Sequence, residues 1–272
     1  MRKPCPVRPH GRPPPRPSNA VRYRAGAPGA RACLATVCAL ACTVGQGYIG
    51  TVTTLDSRAP LSEPVALISD IHGRLDALDA VLEETARHNI KRIYVAGDLL
   101  NGGPDPLGVW RRLTEIKAHC VRGVSDSALC SVDVSKLVPL NEVERQKLDS
   151  FLWTRRTVGE LVLESLRRLP LNLRVPLIDG GEILVTHGSP GDPFQDMTQD
   201  MDDEELLALV ADDPADIIVC GASHVPFQRT IDTVHVVNVG SVGAAPEGRI
   251  AHYTILTPTP GQRTVEQNWV DY

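Results

Sequence analysis

From residue 65 onward the chain alternates short apolar runs with stretches whose apolar positions recur every three or four residues, the pattern of an α/β domain. The run 65–70 reads as a buried strand, and 75–88 as a helix whose apolar stripe is Leu75, Leu78, Val81 and Leu82. A strand over 92–96, a Gly- and Pro-rich loop over 97–106, a helix running to Ile116 and a strand over 118–122 that breaks at Gly123 come next. Residues 141–169 read as two helices ended by Pro170. The segments 173–176 and 182–186 flank Asp179-Gly180-Gly181, a hairpin signal. A helix over 202–211, strands over 216–220 and 234–239 and a closing strand over 249–256 complete the pattern, with no internal repeat.

Residues 1–60 are of another kind. They hold nine Lys and Arg against one acid, Asp56, so this head carries +8 and leaves −13 for the remainder of a chain whose net charge is −5. The acidic remainder argues against a nucleic-acid surface, which needs excess Lys and Arg, and suits a domain that attracts cations. Nine of the 22 prolines lie in the head, in runs such as Arg12-Pro13-Pro14-Pro15-Arg16-Pro17, and it lacks the apolar content to fold. We read 1–60 as a disordered or misannotated extension and 61–272 as the folded domain. The apolar stretch centred on 32–42 is too short to span a bilayer; as a signal core it would imply export. Only Cys120, Cys130 and Cys220 fall in the folded part, an odd number without metal-like spacing, which favours a reducing cytoplasm.

The chemistry-bearing residues gather at the carboxyl ends of the expected strands: Asp70 and His72 after the first, Asp98 after the second, Asp126 past the third, His187 past the hairpin and His224 past Cys220. Ligands of open α/β sheets bind at that edge, where side chains from separate strands converge. Carboxylates with imidazoles are the ligand set of a hydrolytic metal ion such as Mn, Fe or Zn. His119 and His235, inside expected strands, read as structural.

In order along the chain, Ser69-Asp70-Ile71-His72-Gly73, Gly97-Asp98, Thr186-His187-Gly188-Ser189-Pro190, Gly221-Ala222-Ser223-His224 and Asn238-Val239-Gly240-Ser241-Val242-Gly243 resemble the signature of calcineurin-like metallophosphoesterases. The His-Gly-Ser-Pro and Asn-x-Gly-Ser-Val-Gly pieces are similar to the small bacterial and archaeal single-domain branch. The resemblance implies a four-layer αββα sandwich around two divalent ions (Mn, Fe, Zn or Ni) and a small phosphate-ester substrate. It assigns Asp70, His72 and His224 to the first ion, Asp98 to a bridging role and His187 to the second ion. It also casts Asp126 as the carboxylate that orients Ser125 or a water, and Asn238 and Ser241 as supports of the loop carrying His224. Arg74, at the start of the helix after the Asp-x-His loop, becomes a candidate phosphate grip.

Two motifs depart from that signature. Gly123-Val124-Ser125-Asp126 stands where the family has Gly-Asn-His-Asp, so Val124 replaces a second-ion ligand and Ser125 a histidine that acts on the transition state or leaving oxygen. Ala222 stands where another second-ion histidine belongs. Three readings follow: a working phosphoesterase with one firmly held ion, a catalytically impaired protein that binds a metal and a nucleotide or phosphate, and a relic without a ligand.

Overall fold

The computed structural model describes residues 60–272 apart from Ala211. The readings made of the head, whether as extension or as export signal, therefore fall outside the described residues except at Pro60.

Strand β1 (Val65–Ile68) leads through a tight loop into α1 (Leu75–Arg87), then β2 (Ile93–Val95), α2 (Pro106–Glu115), β3 (His119–Cys120) and α3 (Val124–Ser131). The long α4 (Glu142–Arg167) precedes the hairpin β4 (Asn172–Pro176) and β5 (Glu182–Thr186). After α5 (Asp203–Val210) come β6 (Ile217–Cys220), β7 (Phe227–Ile231), β8 (Val234–Asn238), β9 (Ile250–Thr259) and β10 (Gln262–Asp271). The strands form two five-stranded mixed sheets, ordered β10-β9-β1-β2-β3 and β4-β5-β6-β8-β7.

The sheets face one another, and helices cover their outer faces, which is the expected αββα sandwich. In β1, Val65 and Leu67 enter the layer between the sheets while Ala66 and Ile68 enter the core beneath α1 to α4. On β5 and β6, Ile183, Val185, Ile217 and Val219 face inward, while Leu184 and Ile218 pack against Leu206 and Val210 of α5. Strands buried on both faces have no polar side, which is why these segments read as unbroken apolar runs.

Local signals set several boundaries. Asp105 caps α2 by accepting the Gly108 N–H at 2.8 Å, with Pro106 at the first helical position. Asn141 caps α4 by accepting the Glu144 N–H at 2.9 Å. The two helices expected over 141–169 are present as halves of α4, divided at Gly159, whose φ of 75° and ψ of 169° are not helical. Three features differ from expectation. Residues 124–131, for which no element was expected, form α3, residues 227–231, likewise without an expected element, form β7, and the expected closing strand β9 continues through a turn at Gly261 into β10, its antiparallel partner. β10 reads Arg-Thr-Val-Glu-Gln-Asn, mostly polar, because it is an edge strand with one neighbour.

Candidate metal centre

Side chains at the carboxyl ends of β1, β2, β5 and β6 converge on one point. Asp70 and His72 lie on the loop after β1, Asp98 after β2, His187 after β5 and His224 after β6. Four of these five ligand candidates adopt left-handed backbone: Asp70 at φ 55°, His72 at 50°, Asp98 at 54° and His224 at 61°, with Ala222 at 64°. Such conformations are disfavoured away from glycine and persist where the surroundings over-determine them, typically at functional sites.

The surroundings are visible. The Asp70 carbonyl accepts the Ser241 hydroxyl at 2.8 Å and the Gly243 N–H at 2.9 Å, while Ala222 N–H donates to Asp70 Oδ2 at 3.1 Å. The Asn238 amide donates to Gly221 O at 2.6 Å and to Ser223 Oγ at 2.9 Å, so it supports the His224 turn as expected. Ser241, expected to do the same, holds the Asp70 turn instead. Gly97, at φ 96°, packs where a Cβ would come 2.8 Å from His187 Nδ1 and 2.7 Å from the Gly123 Cα, so glycine is required between the two ligand loops.

His72 Nδ1 lies 2.9 Å from Asn101 O, and His187 Nδ1 lies 2.7 Å from Ala96 O. A carbonyl can only accept, so each Nδ1 carries a proton, and each ring turns its Nε2 into the cluster, where it offers a lone pair once that nitrogen is deprotonated. Histidines that ligate metals are commonly held in this way, the outer ring nitrogen donating to a carbonyl so that the inner one is aimed at the ion. There His72 Nε2 and His224 Nε2 stand 3.1 Å apart, with Asp70 Oδ1 3.1 Å from His224 and 3.6 Å from His72. Ligand atoms bound to one ion at about 2.1 Å and at angles from right to tetrahedral lie roughly 3.0–3.4 Å apart. Asp70 Oδ1 is buried and receives no aligned hydrogen bond. Donors at ligand spacing with an orphaned carboxylate oxygen among them fit a divalent cation.

Asp98 faces both ways, with Oδ2 4.0 Å from His72 Nε2 and Oδ1 3.5 Å from His187 Nε2. Its Oδ1 also accepts the Ser125 N–H at 2.8 Å. The ligand atoms of Asp70, Asp98 and His187 lie within 4.8 Å of one another, so Asp70 belongs geometrically to both groups.

The charges are strongly coupled. Burial works against ionisation of Asp70, but His224 and His72 outweigh it and hold the carboxyl well below its ordinary range. Burial likewise opposes a charged His72, yet Asp70 and Asp98 lift its pKa to about 9. His187 is raised against the same opposition, by Asp98 and Asp70. A pocket that draws protons onto imidazoles this firmly offers the same field to a cation.

Asp126 makes no hydrogen bond to the Ser125 hydroxyl, which is buried without a partner. Its carboxylate accepts the Leu99 N–H at 3.0 Å and the Gly123 N–H at 3.2 Å, tying the Asp98 loop to the start of α3. Burial, then the Asp98 charge, push its pKa up to about 6. Arg74 lies outside both ligand groups. Its Nε is 3.4 Å from Asp76 and its guanidinium 5.3 Å from the centre of the Tyr272 ring. His119 stacks on Tyr94 in the sheet, and His235 meets Thr230 and Gln228 at 2.9 and 3.1 Å, as structural histidines do.

One acid near the cluster has no signature in the sequence. Asp196, on the loop after β5, is exposed, yet its pKa is raised, first by partial burial and then by Asp70 and Asp98 against the pull of His187 and His224.

The model of the calcineurin-like phosphoesterase superfamily domain matches residues 64–260. An uncharacterized protein of Methanocaldococcus jannaschii is 26% identical over 205 residues, covering 68% of this chain and 78% of the relative. Phosphodiesterase YfcE of Escherichia coli K12 is 27% identical over 198 residues, covering 69% of this chain and 84% of the relative. Among solved structures, a hypothetical protein from Pyrococcus horikoshii OT3 superposes with a TM-score of 0.68 at 22% identity, over 77% of this chain and 88% of the other. A metallophosphoesterase from Sphaerobacter thermophilus superposes with a TM-score of 0.63 at 25% identity, over 78% and 89%.

Proposed function

The chain belongs to the calcineurin-like phosphoesterase superfamily, and from that premise we propose that it is a metal-dependent phosphoesterase acting on a small phosphate ester. The observation that carries this reading is the pair of histidines, His72 and His187, whose outer nitrogens are held by Asn101 O and Ala96 O so that both lone pairs meet the carboxylates.

Asp70, His72 and His224 would hold one cation, and Asp98 would reach from it toward His187. Bound there, Mn, Fe, Zn or Ni supplies a Lewis acid for the phosphoryl oxygens and a nucleophile from water at neutral pH. The residues do the remaining work. Asp98 uses its two oxygens on opposite sides, and the Ser125 N–H fixes which oxygen faces His187. Asp126 keeps the Asp98 loop in place through Leu99 N–H. The buried Ser125 hydroxyl is a donor for a phosphate oxygen, though it is no acid near neutral pH. The Escherichia coli relative is named a phosphodiesterase, so a diester is a natural first substrate. A reducing cytoplasm suits Cys120, Cys130 and Cys220, which are free thiols.

A second reading is favoured by Val124 and Ala222, neither of which has a side-chain donor: the protein binds metal and phosphate without turning over. Hydrolysis of p-nitrophenyl phosphate and its bis ester by the full chain, with Mn titrated in and Asp98→Asn as the blank, separates the two. Turnover that saturates with Mn and falls by at least about a hundredfold in the variant is the expected result. Undiminished turnover in Asp98→Asn would discard the assignment, and Mn binding without turnover would establish the second reading.

A further inference from the structure

We infer that His252 is a positioning residue of the metal centre: its imidazole latches the loop after β8 and, through that loop, sets the turn that carries Asp70. The inference rests on the cluster being a metal centre. His252 lies on β9, outside the motifs that carry the resemblance, and is 2% exposed. Its neighbours Ala251 and Tyr253 face the helical layer, so His252 shares with Leu256 the side that faces the space between the sheets. Three successive residues of the loop after β8 hold the Asp70 turn. Val242 N–H donates to Ser69 O at 3.0 Å, and Asp70 O accepts both the Gly243 N–H at 2.9 Å and the Ser241 hydroxyl at 2.8 Å. Ala244 N–H donates to Ser241 Oγ at 2.8 Å, which leaves the hydroxyl proton for Asp70.

Ser241 is fixed from its other side by His252 alone. Its carbonyl accepts the His252 N–H at 3.0 Å, and its own N–H donates to His252 Nδ1 at 3.3 Å. Two hydrogen bonds thus connect the imidazole to the backbone of a ligand. A backbone N–H can only donate, so Nδ1 is the unprotonated nitrogen and Nε2 carries the proton. Nε2 is buried without a hydrogen-bond partner and faces Glu247 Oε2 at 3.7 Å, a charge that favours this tautomer and this orientation of the ring. Gly240, at φ 73°, makes room for the ring, since a Cβ there would come 2.7 Å from Nδ1. An N–H buried without an acceptor is costly, so loss of Nδ1 drives the loop off this geometry. With it goes the hydroxyl that fixes Asp70 in its left-handed turn, at φ 55°, with Oδ1 3.1 Å from His224 Nε2.

The test is Mn binding to the full-length chain, with free Mn counted by electron paramagnetic resonance, beside urea denaturation in chelator, for the wild type, His252→Asn and His252→Leu. Asparagine puts an oxygen where Nδ1 stands but leaves a void beyond it, whereas leucine fills more of the space and has no acceptor. The expected result is that His252→Leu weakens the tightest Mn by at least about tenfold, the lower bound for losing an outer-shell partner. His252→Asn should bind it nearly as tightly as the wild type, whatever stability it loses. A ring that merely filled space would give the reverse order, with leucine the milder change. Unchanged Mn affinity in His252→Leu would overturn the inference, as would His252→Asn binding Mn as weakly as His252→Leu. Should His252→Leu not fold, His252→Gln, whose oxygen lies one bond too far out, takes its place in the comparison. A wild type that takes no Mn would overturn the metal-centre reading itself.

Discussion

At the scale of single residues, the site is governed by protons and cations competing for the same lone pairs. His72 has a folded pKa of about 9 against an ordinary 6.5, because Asp70 and Asp98 outweigh its burial. A raised pKa means that the proton's contribution to stability is fully present below pH 6.5 and is lost as the pH rises through 9. A cation at Nε2 must displace that proton. Affinity for the first Mn should therefore climb by up to about tenfold per pH unit between 7 and 9 and flatten beyond. Calorimetry at pH 7.5 in two buffers of different ionisation enthalpy should report about one proton released per Mn. An affinity that does not change between pH 7 and 9 would remove His72 from the ligand set. The residue types were legible because carboxylates and imidazoles followed apolar runs, each with a glycine nearby. What those residues do within the site was less legible. Asp126 and Ser241 act through backbone N–H and C=O groups of other loops, and the sequence gives no hint of which loop will be adjacent.

At the scale of elements, helices and doubly buried strands were readable because apolar periodicity reports burial directly. β7 and β10 were not, since each has one neighbour at the edge of its sheet and alternates too weakly to stand out from a loop. α3 was missed for another reason. Its eight residues begin after a glycine N-cap, and the side chain that completes the cap is Asp126, read as a site residue. The division of α4 was legible and can be tested. Gly159 has a φ of 75° and a ψ of 169°, a region reserved almost wholly for glycine, although nothing lies within 4 Å of where its Cβ would be. Gly159→Ala should destabilise the protein by about 1–3 kcal/mol in urea denaturation, through backbone strain alone. In a straight helix the same change would stabilise by up to about 1 kcal/mol. A measured gain would therefore mean that the two halves of α4 are continuous.

At the scale of the whole molecule, the ligand set is divided between the sheets. Asp70, His72 and Asp98 follow strands of one, His187 and His224 follow strands of the other, and the layer of Leu67, Ala96, Val185 and Val219 lies between them. Parallel pairing within each sheet, β1 with β2 and β5 with β6, puts the ends of these strands at one edge. No sequence pattern states that two separate sheets will align those edges; the resemblance implied it, and the packing of the shared core enforces it. A cation bound there ties one sheet to the other in the folded state and has no preformed site in the unfolded chain, so its binding energy adds to folding stability. At a free Mn concentration a hundred times the dissociation constant the gain is about 2.7 kcal/mol. For a domain of this size each kcal/mol raises Tm by roughly 2–4 °C, so Mn should raise it by about 5–11 °C, reversibly with a chelator. His224→Ala should lose most of the shift, because it removes the ligand through which the second sheet reaches the first ion. A Tm that ignores both Mn and chelator would mean that no ion bridges the two sheets, and the strained turns at Asp70, His72, Asp98 and His224 would need another cause.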